Sequence, residues 1–458
     1  MSKLRMTATQ HGQLQLHLFD GSGFEGVAIA LCGRAESEGR RVHLVHKVIE
    51  IPHSECQRGR DFVTWPTRRL RDALTEAARL GLSVMKVHSH PEGFREFSAR
   101  DDASDVEIFR SVALKVAGPH LSAVMLPDGE MFAREVDADG GFAAVERVAV
   151  VGDNLSYWPE PRGCAPQDFD QRHRQMFGDR TTNLLSTLSV GVVGVSGTGS
   201  PTVEMLARLG VGRIVEIEPD IVEGKNLNRI WGSKRADAEA GTNKAQMMKT
   251  HLDAVGLGTE LVVCQARVDT PEAVALLSTC DIVFGCVDSV EGRDILNRIA
   301  AFYSLPYFDL GVRLDADGTG GVESVSAGVH YLQPGGSSLK SRGVYSDAVL
   351  HAEYLKRTDP NFYEDQVRRG YIRGVRVDSP AVISVNTLTA ATAVNEFLAR
   401  LHPYRTEPNA KFAVQKLLLT HGRIATRPDG EPDLELARYV GRGDCAPLLM
   451  SSRLEDAA

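Results

Sequence analysis

The sequence predicts an α/β protein with two domains, an α+β domain over residues 1–150 and a domain with a mostly parallel sheet over residues 168–425. Two observations support this prediction. The chain has 458 residues, which is more than one ordinary hydrophobic core accommodates. From residue 188 onward, strand-like and helix-like stretches alternate, and such alternation is typical of a parallel sheet with helices on both faces.

Apolar periodicity locates the elements of the first domain. Residues 42–51 form an apolar run that ends before Pro52, as a strand would, and residues 68–80 have the apolar spacing of an amphipathic helix. The predicted strands are 24–31, 42–51, 82–87 and 121–126, and the predicted helix is 68–80.

The second domain follows a proline-rich segment. Three prolines between residues 154 and 167 interrupt the periodicity, so residues 151–167 are interpreted as a linker, and residues 426–458 as a C-terminal tail. Pro380 suits the first turn of a long helix, where a missing N–H costs nothing. The predicted elements are strands 188–195, 213–217, 260–264 and 281–286 and helices 202–209, 243–255, 271–278 and 380–401.

Composition and charge exclude several function classes. The net charge of −8 argues against a nucleic-acid-binding protein, which needs an excess of Lys and Arg for phosphate contacts. No stretch approaches the roughly 20 apolar residues of a membrane span, and the start has no apolar segment of the secretory kind. The 7 cysteines include no Cys-x-x-Cys pair, which fits the reducing cytoplasm better than a disulfide framework.

Two histidines two residues apart form the first catalytic signature. His88 and His90 lie at the end of a predicted strand, so both imidazoles project to the same side. Asp101 follows on a predicted helix and supplies a third, anionic ligand. Three protein ligands leave the fourth tetrahedral position of zinc for water, as in catalytic zinc sites. Glu25 is the candidate base for that water, and Ser98 is the candidate hydrogen-bond donor to the tetrahedral oxyanion.

The first domain resembles the JAB/JAMM (MPN-type) metalloproteases, and the residues that carry the resemblance are His88, His90, Pro91, Ser98 and Asp101. A histidine pair alone would also fit a strand end beside a polar helix start. The resemblance implies that His88, His90 and Asp101 bind Zn²⁺. It also implies cleavage of isopeptide or peptide bonds after the C-terminal glycine of ubiquitin-like proteins. Glu25 is assigned by its strand context alone.

A glycine-rich turn forms the second signature. Gly194, Gly197 and Gly199 follow an apolar strand and open a helix, so the backbone can approach a phosphate chain at the helix N-terminus. A turn of this kind also fits an NAD-dependent dehydrogenase. Glu218 closes the next strand and suits the ribose of either NAD or ATP.

Charged residues farther along the chain separate these two alternatives. Arg229, Lys244 and Asp288 each follow an element of the predicted sheet domain. Hydride transfer does not need such charges to converge on the phosphates. Attack on an α-phosphate does, because cations neutralise the developing charge and a carboxylate holds Mg²⁺. The pattern therefore favours ATP.

Residues 170–310 resemble the ThiF/MoeB/ubiquitin-activating superfamily, through the glycine-rich turn and through Arg174, Asn226, Arg229, Lys244, Ala245, Asp288, Arg293 and Asn297. The resemblance assigns a nucleotide site to the three glycines and to Glu218, Asp220, Asn226, Arg229, Lys244, Asp288 and Arg174. It implies that Glu218 binds the ribose, that Arg229 and Lys244 contact the ATP phosphates, and that Asp288 holds Mg²⁺. Arg174 would reach the nucleotide of the second subunit in a homodimer.

The second domain also departs from this superfamily. Many members carry two Cys-x-x-Cys pairs for structural zinc, but residues 331–342 contain no cysteine, so no zinc is expected there. No cysteine lies between Cys286 and Cys445, where a thioester-forming cysteine usually lies. Either the enzyme stops at the acyl-adenylate or another group accepts the acyl chain. The alternatives for that acceptor are Ser337, Ser338, Ser341 and Cys445.

Together the two resemblances predict a bifunctional cytoplasmic enzyme of a bacterial ubiquitin-like system, of the kind often linked to phage defence. It would cleave after the C-terminal glycine of a ubiquitin-like protein and would adenylate the same glycine. A separate conjugating enzyme is the expected partner, and homodimerisation through the adenylation domain is expected. Two alternatives stay open, activation of a sulfur-carrier protein for cofactor or amino-acid biosynthesis and a non-catalytic scaffold.

Overall fold

The computed structural model describes residues 2–161, 165–369, 380–451 and 454. The chain forms two compact units. The first comprises Met1–Pro161, Ala301–Ser304 and Arg438–Ser452, and the second comprises Arg162–Ala300, Leu305–Ala437 and Arg453–Ala458. Within the described ranges, no helix has both the length and the hydropathy that crossing a bilayer would require.

A mixed nine-stranded sheet forms the framework of the first unit, with strand order β11-β10-β1-β3-β2-β6-β7-β8-β9. The strands are β1 (Ser2–Thr7), β2 (Val27–Ser37), β3 (Arg40–Glu50), β4 (Gln57–Arg58), β5 (Val63–Thr64), β6 (Ser83–Ser89), β7 (His120–Met125), β8 (Met131–Val136), β9 (Phe142–Ala144), β10 (Arg147–Val151) and β11 (Leu155–Trp158), of which β4 and β5 form a separate hairpin. The helices are α1 (Ala8–Leu18), α2 (Arg68–Leu80) and α3 (Ala99–Ala113).

Helices cover both faces of this sheet. Alternate residues of a strand point to opposite faces, so Ala28 and Ala30 of β2 pack with α1, whereas Ile29 and Leu31 pack with α2. Because both faces are buried, residues 27–32 of the central strand β2 form a continuous apolar run. The predicted helix at 68–80 is confirmed at those bounds.

The second unit contains an eight-stranded sheet in the order β14-β13-β12-β15-β16-β17-β18-β19. Its strands are β12 (Ser189–Val193), β13 (Arg213–Ile217), β14 (Glu260–Cys264), β15 (Ile282–Gly285), β16 (Tyr307–Ala316), β17 (Val322–Leu332), β18 (Val414–Leu418) and β19 (Arg423–Arg427). Its helices are α4 (Gln171–Leu185), α5 (Gly199–Arg208), α6 (Arg235–Ala240), α7 (Lys244–Val255), α8 (Pro271–Ser278), α9 (Val290–Phe302), α10 (Asp347–Thr358), α11 (Pro360–Arg368), α12 (Ile383–Leu401) and α13 (Leu434–Ala437).

Five strands of this sheet are parallel and the rest are antiparallel. β14, β13, β12, β15 and β16 form the parallel part, which confirms a Rossmann-like sheet. From β16 onward β17, β18 and β19 pair antiparallel. The carboxyl ends of β12, β13 and β15 therefore meet at one edge, where the predicted nucleotide residues lie.

Three predictions about elements are corrected. Residues 24–31 are not one strand, because β2 begins at Val27 and Glu25 lies before it. Residues 155–158, predicted as linker, form β11, because a tight hairpin pairs Val151 with Leu155. Helix α12 begins at Ile383 and not at Pro380. Residues 162–164 of the predicted linker lie outside the described residues, and residues 438–451 of the predicted tail pack within the first unit.

Candidate active sites

Two histidines and an aspartate come together at the end of β6. His88 lies in β6, His90 follows that strand, and Asp101 lies in the first turn of α3. The Nε2 atoms of His88 and His90 are 3.1 Å apart. Carboxylate oxygens of Asp101 lie 3.0 Å from Nε2 of His88 and 3.6 Å from Nε2 of His90. In the part of the chain that the structure describes, this is the one group of at least three His, Cys, Asp or Glu ligand atoms that converges within 4.8 Å.

The donor set fits zinc, which binds imidazole nitrogens and carboxylate oxygens. Nδ1 of His90 lies 2.8 Å from the carbonyl oxygen of Phe94, so Nδ1 carries the proton and Nε2 presents its lone pair to the cluster. Burial lowers the pKa of His88 to about 4, which keeps that imidazole neutral. The two Nε2 atoms and the carboxylate of Asp101 face one another, and this arrangement favours a cation between them.

Two neighbouring aspartates are engaged elsewhere. Asp105 is fully buried and forms ion pairs with Lys86 and, at 2.7 Å, with Arg134. The carboxylate of Asp102 also pairs with Arg134, at 2.5 Å. Of the three acidic residues at the start of α3, only Asp101 joins the histidines, as the sequence predicts.

Ser98 fixes the orientation of Asp101. It is the N-cap of α3, and its Oγ donates a hydrogen bond to Oδ2 of Asp101 at 2.7 Å. The backbone N–H of Ser98 donates to the same oxygen, and the backbone N–H of Asp101 donates to Oγ of Ser98. This reciprocal cap holds the carboxylate toward the histidines. The predicted role of Ser98 as an oxyanion donor stays a prediction.

Glu25 lies beside this cluster although it is not part of a strand. Val27, the first residue of β2, pairs with His88 of β6, which brings the preceding segment to the histidines. The backbone N–H of Glu25 donates to the carbonyl oxygen of Gly59. Its carboxyl group lines one pocket with His88 and Asp101, and burial raises the pKa of Glu25 to about 7.

The same pocket includes residues that sequence reasoning missed. Lys86, Asp61, Phe62 and Arg100 also line it. Lys86 is on the same face of β6 as His88, so the alternation of side chains along the strand could have predicted its place in the pocket. Asp61 and Phe62 lie between two strands of two residues each, which give no periodic signal.

The glycine-rich turn connects β12 to α5 in a conformation that requires glycine. Gly194 has φ +87°, and a Cβ there would lie 2.7 Å from the carbonyl oxygen of Cys286. A Cβ on Gly199 would lie 1.8 Å from the carbonyl oxygen of Gly194. The turn is therefore closed tightly against the end of β15, and it leads into the N-terminus of α5, where anions are favoured.

Glu218 holds this turn from the end of β13. Its Oε2 accepts a hydrogen bond from the N–H of Val195 at 2.7 Å, and its Oε1 accepts one from the N–H of Asp220 at 3.0 Å. The side chain is only 3% exposed, and burial raises its pKa. Glu218 lies at the predicted ribose position and in addition fixes two backbone segments.

Lys244 lies at the start of α7 beside the same edge. Its ammonium group is 2.9 Å from the carboxylate of Asp220. Asn243 caps α7 with its Oδ1, and its Nδ2 donates to the carbonyl oxygens of Glu218 and Asp220. The predicted helix start at residue 243 is thus a cap that ties α7 to the end of β13.

Arg229 faces the glycine-rich turn from the other side. Its Cδ lies 3.6 Å from the position of a Cβ on Gly197. The side-chain amide of Asn386 in α12 lies 2.3 Å from that same position, so the turn is also close to α12. Asn226, 3% exposed, accepts the N–H of Glu223 and fixes the segment before Arg229. Asn386 was not predicted as a site residue. The feature of the sequence that indicates it is an Asn within a largely apolar helix.

Asp288 follows β15 and is exposed at the carboxyl edge of the sheet. Arg293, in the first half of α9, pairs with Asp309 of β16 at 3.1 Å. Asn297 bonds to the hydroxyl of Tyr345 at 2.8 Å. Arg293 and Asn297 therefore contact residues outside α9 and do not only pair within their own helix.

Arg174 is engaged within its own chain. Its guanidinium donates to both carboxylate oxygens of Asp170, at 2.8 and 2.9 Å, and to Asp179 and Asn183. These bonds hold the side chain on α4. The predicted contact with the nucleotide of a second subunit stays a prediction.

Polar side chains join the segment after β17 to the segment after β19. Arg342 pairs with Asp429 at 2.8 Å and donates to Oγ of Ser337 at 2.7 Å. Ser337 also donates to Asp429, and Ser338 donates to Asp433 at 2.6 Å. We call these five residues the polar clasp. Because the clasp uses the buried hydroxyls of Ser337 and Ser338, both are poor acyl acceptors.

The match to a protein family lies within the second unit. The ThiF family profile matches residues 170–419. Ubiquitin-like modifier-activating enzyme 5 of Culex quinquefasciatus is 30% identical over 159 residues, covering 32% of this chain and 37% of that protein. The SAMP-activating enzyme E1 of Haloferax volcanii is 32% identical over 123 residues, covering 27% of this chain and 44% of that protein. The chain thus spans less than half the length of these curated relatives.

Among solved structures, the chain is similar to E. coli MccB with MccA-N7isoASN. The sequence identity is 18%, the TM-score is 0.45, and the match covers 59% of this chain and 74% of that chain.

Proposed function

This chain belongs to the ThiF family, and from that premise we propose that its second unit adenylates the C-terminal glycine carboxylate of a ubiquitin-like protein. The observation that carries the proposal is the meeting of a glycine-rich turn with Glu218, Lys244 and Arg229 at one edge of the sheet. Nucleotides bind at this edge in open parallel sheets.

The charged side chains suit attack on the α-phosphate of ATP. A carboxylate oxygen of the terminal glycine forms a bond to the α-phosphorus, the bond to the β-phosphate oxygen breaks, and pyrophosphate leaves. Lys244 and Arg229 would neutralise charge on the phosphates, and Glu218 would accept hydrogen bonds from the ribose. Asp288 would hold Mg²⁺, which when bound offsets the charge of the leaving pyrophosphate.

The partner is proposed from the names of the relatives. An activating enzyme for a ubiquitin-like modifier and one for SAMP are both similar to this chain. The polar clasp occupies Ser337 and Ser338, Oγ of Ser341 donates to the carbonyl oxygen of Ser338, and burial raises the pKa of Cys445. We therefore propose that the adenylate passes to a separate acceptor. A conjugating enzyme is that acceptor in modification, and a sulfur donor is the acceptor in sulfur transfer. An adenylyltransferase and sulfurtransferase from Meyerozyma guilliermondii, 27% identical over 150 residues, keeps sulfur transfer as the second candidate.

ATP–pyrophosphate exchange tests the adenylation proposal. With a small ubiquitin-like protein that ends in glycine, the full chain should exchange pyrophosphate, and the same protein without its terminal glycine should not. Lys244→Ala should lower exchange about 100-fold or more. Lys249→Ala, in the same helix, is the matched control and should keep exchange. Exchange that survives Lys244→Ala would contradict the proposed site.

We also propose that the first unit hydrolyses an amide bond at a C-terminal glycine. The convergence of His88, His90 and Asp101 supports this second activity. Bound there, Zn²⁺ would lower the pKa of a coordinated water toward neutrality. Glu25 would accept the proton of the attacking water at its carboxylate, and the departing amine would leave protonated. Ser98 would keep Asp101 oriented through the helix cap. The products are a glycine carboxylate and a free amine.

Cleavage of a glycine–lysine isopeptide substrate tests this activity. Glu25→Gln should lower the rate about 100-fold or more while bound zinc, measured by elemental analysis, stays unchanged. Glu92→Gln, an exposed site nearby, is the control. If Glu25→Gln cleaves at the normal rate, Glu25 is not the base. If the unmodified protein binds no metal and does not cleave the isopeptide substrate, the result would favour the scaffold alternative. We also propose a role in phage defence, which neighbouring genes of phage-defence type would support.

A further inference from the structure

The antiparallel part of the second unit's sheet forms the floor of a cavity of about 590 Å³ that no predicted site residue lines. We propose that this cavity binds acidic side chains just upstream of the partner's terminal glycine and so selects the partner. This proposal rests on the adenylation activity proposed above and names the feature of the partner that the unit recognises.

The floor of the cavity follows from strand register. Asp309 of β16 faces His330 of β17, and two residues along Gly311 faces Gly328. Gly328 in turn faces Lys416 of β18. Since alternate residues share one face of a sheet, these side chains lie on the same face. The pair of glycines leaves an open path across β16 and β17 that a peptide backbone can occupy.

The walls of the cavity carry an excess of positive charge. Of its lining residues, Arg293, Arg313, Arg342, Lys416 and Arg427 are cationic, and Asp309 is the single carboxylate. The first three are paired, with Asp309, Asp315 and Asp429 respectively.

The other two cations have no such partner among the residues that the structure describes. Within the described ranges no carboxylate pairs with Lys416 or Arg427. Val414 is on the same face of β18 as Lys416 and faces Arg427 of β19, so the two cations are neighbours on one surface. They are available to an anionic ligand, and two adjacent cations favour a carboxylate over a neutral side chain.

The position of the cavity indicates which part of the partner it would contact. Arg293 lines the cavity beside Asp309 and Gly311 of β16 and is five residues after Asp288, the proposed Mg²⁺ ligand. Lys416 is two strands away from Gly311, a distance of about 10 Å, which an extended peptide covers in about three residues. A tail whose terminal glycine reaches the nucleotide edge and whose chain crosses β16 and β17 would therefore place residues upstream of that glycine beside Lys416 and Arg427.

Binding of short fluorescent peptides to the full chain tests the proposal. The peptides end in Gly-Gly and carry upstream either two glutamates, two glutamines or two lysines. At physiological salt the glutamate peptide should bind about five- to tenfold more tightly than the glutamine peptide. The double variant Lys416→Glu/Arg427→Glu should lose this preference and favour the lysine peptide. The double variant Lys411→Glu/Arg423→Glu has the same total charge change at exposed residues outside the cavity lining and should keep it.

The outcomes separate this inference from the adenylation proposal. Equal binding of the glutamate and glutamine peptides, no binding of either, or a preference that survives the double variant would overturn the inference. If a glycine-ended ubiquitin-like protein supports pyrophosphate exchange without any effect of upstream acidic residues, adenylation stands and the inference fails. If the charge preference is present but exchange never occurs, the cavity selects an acidic tail and adenylation fails.

Discussion

The carboxylate of Glu218 accepts the backbone N–H of Val195 at 2.7 Å, so a side chain at the end of β13 holds the glycine-rich turn that leaves β12. A second oxygen of the same carboxylate holds the N–H of Asp220. One buried group therefore positions two backbone segments that border the proposed nucleotide site. Glu218 shapes the site before any nucleotide binds.

Removing this carboxylate should therefore affect folding as well as ATP binding. Glu218→Ala leaves two backbone N–H groups without their partner, and we expect the free energy of unfolding to fall by about 2–3 kcal/mol. ATP affinity should fall in addition. Chemical denaturation and calorimetric titration with ATP measure the two effects, and Glu239→Ala on exposed α6 serves as control. Normal stability of Glu218→Ala would show that Val195 and Asp220 do not depend on this group.

A methyl group at Gly199 should open the turn. The new Cβ would lie 1.8 Å from the carbonyl oxygen of Gly194, so the backbone must shift. We expect Gly199→Ala to lose about 1–3 kcal/mol of stability and most of the ATP-induced rise in Tm. Gly224→Ala, where a Cβ meets nothing within 4 Å, should leave both unchanged. An unaltered Tm shift with ATP in Gly199→Ala would contradict the tight turn.

The buried Glu216 should make stability depend on pH. Neither of its carboxylate oxygens has a hydrogen-bond partner within the described residues, and burial raises its pKa well above 4.5. Above pH 4.5 the unfolded chain ionises while the folded protein keeps the proton, so the free energy of unfolding falls by about 1.4 kcal/mol per pH unit until the folded pKa is reached. Glu216→Gln removes this loss.

Denaturation of both proteins between about pH 5 and pH 8 measures the effect. The stability of Glu216→Gln relative to the parent should grow steadily with pH. A difference that is constant across this range would mean that Glu216 is ionised in the folded protein.

Metal removal should separate the two activities. Chelation should abolish the proposed isopeptide cleavage, because His88, His90 and Asp101 form the one described cluster suited to zinc. Pyrophosphate exchange, assayed with Mg²⁺ restored, should continue, because hydroxyl, carboxylate and guanidinium groups join the segments of the polar clasp. His90→Ala should likewise lower bound zinc and leave exchange intact. Loss of exchange after zinc removal alone would place a second zinc site in the chain.

Elements with a strong periodic signal could be predicted from the sequence. The helix at 68–80 and the strand at 213–217 have the bounds that apolar spacing predicts. The long hairpin of β16 and β17 could not be predicted. Its distal half is only partly buried and includes Gly311 and Gly328, so the alternation of apolar and polar residues is interrupted.

In the candidate sites too, residues with a local sequence pattern could be predicted and residues that depend on tertiary packing could not. His88, His90 and Asp101 have a fixed local spacing, and the structure brings them together. Asn386 and the cavity over β16 to β18 depend on contacts between residues that are distant in sequence. Asn386 reaches Gly197 only because α12 packs against α5, and short-range patterns contain no information on that packing.

The polar clasp has a consequence for a cell that is starved of zinc. Serine hydroxyls, carboxylates and an arginine join two segments of the second unit, whereas the cleavage proposed for the first unit would need zinc. Under zinc starvation the cell would continue to adenylate its modifier but would lose the activity that removes the modifier from its targets. The zinc supply would then determine how long the modifier stays attached to its targets.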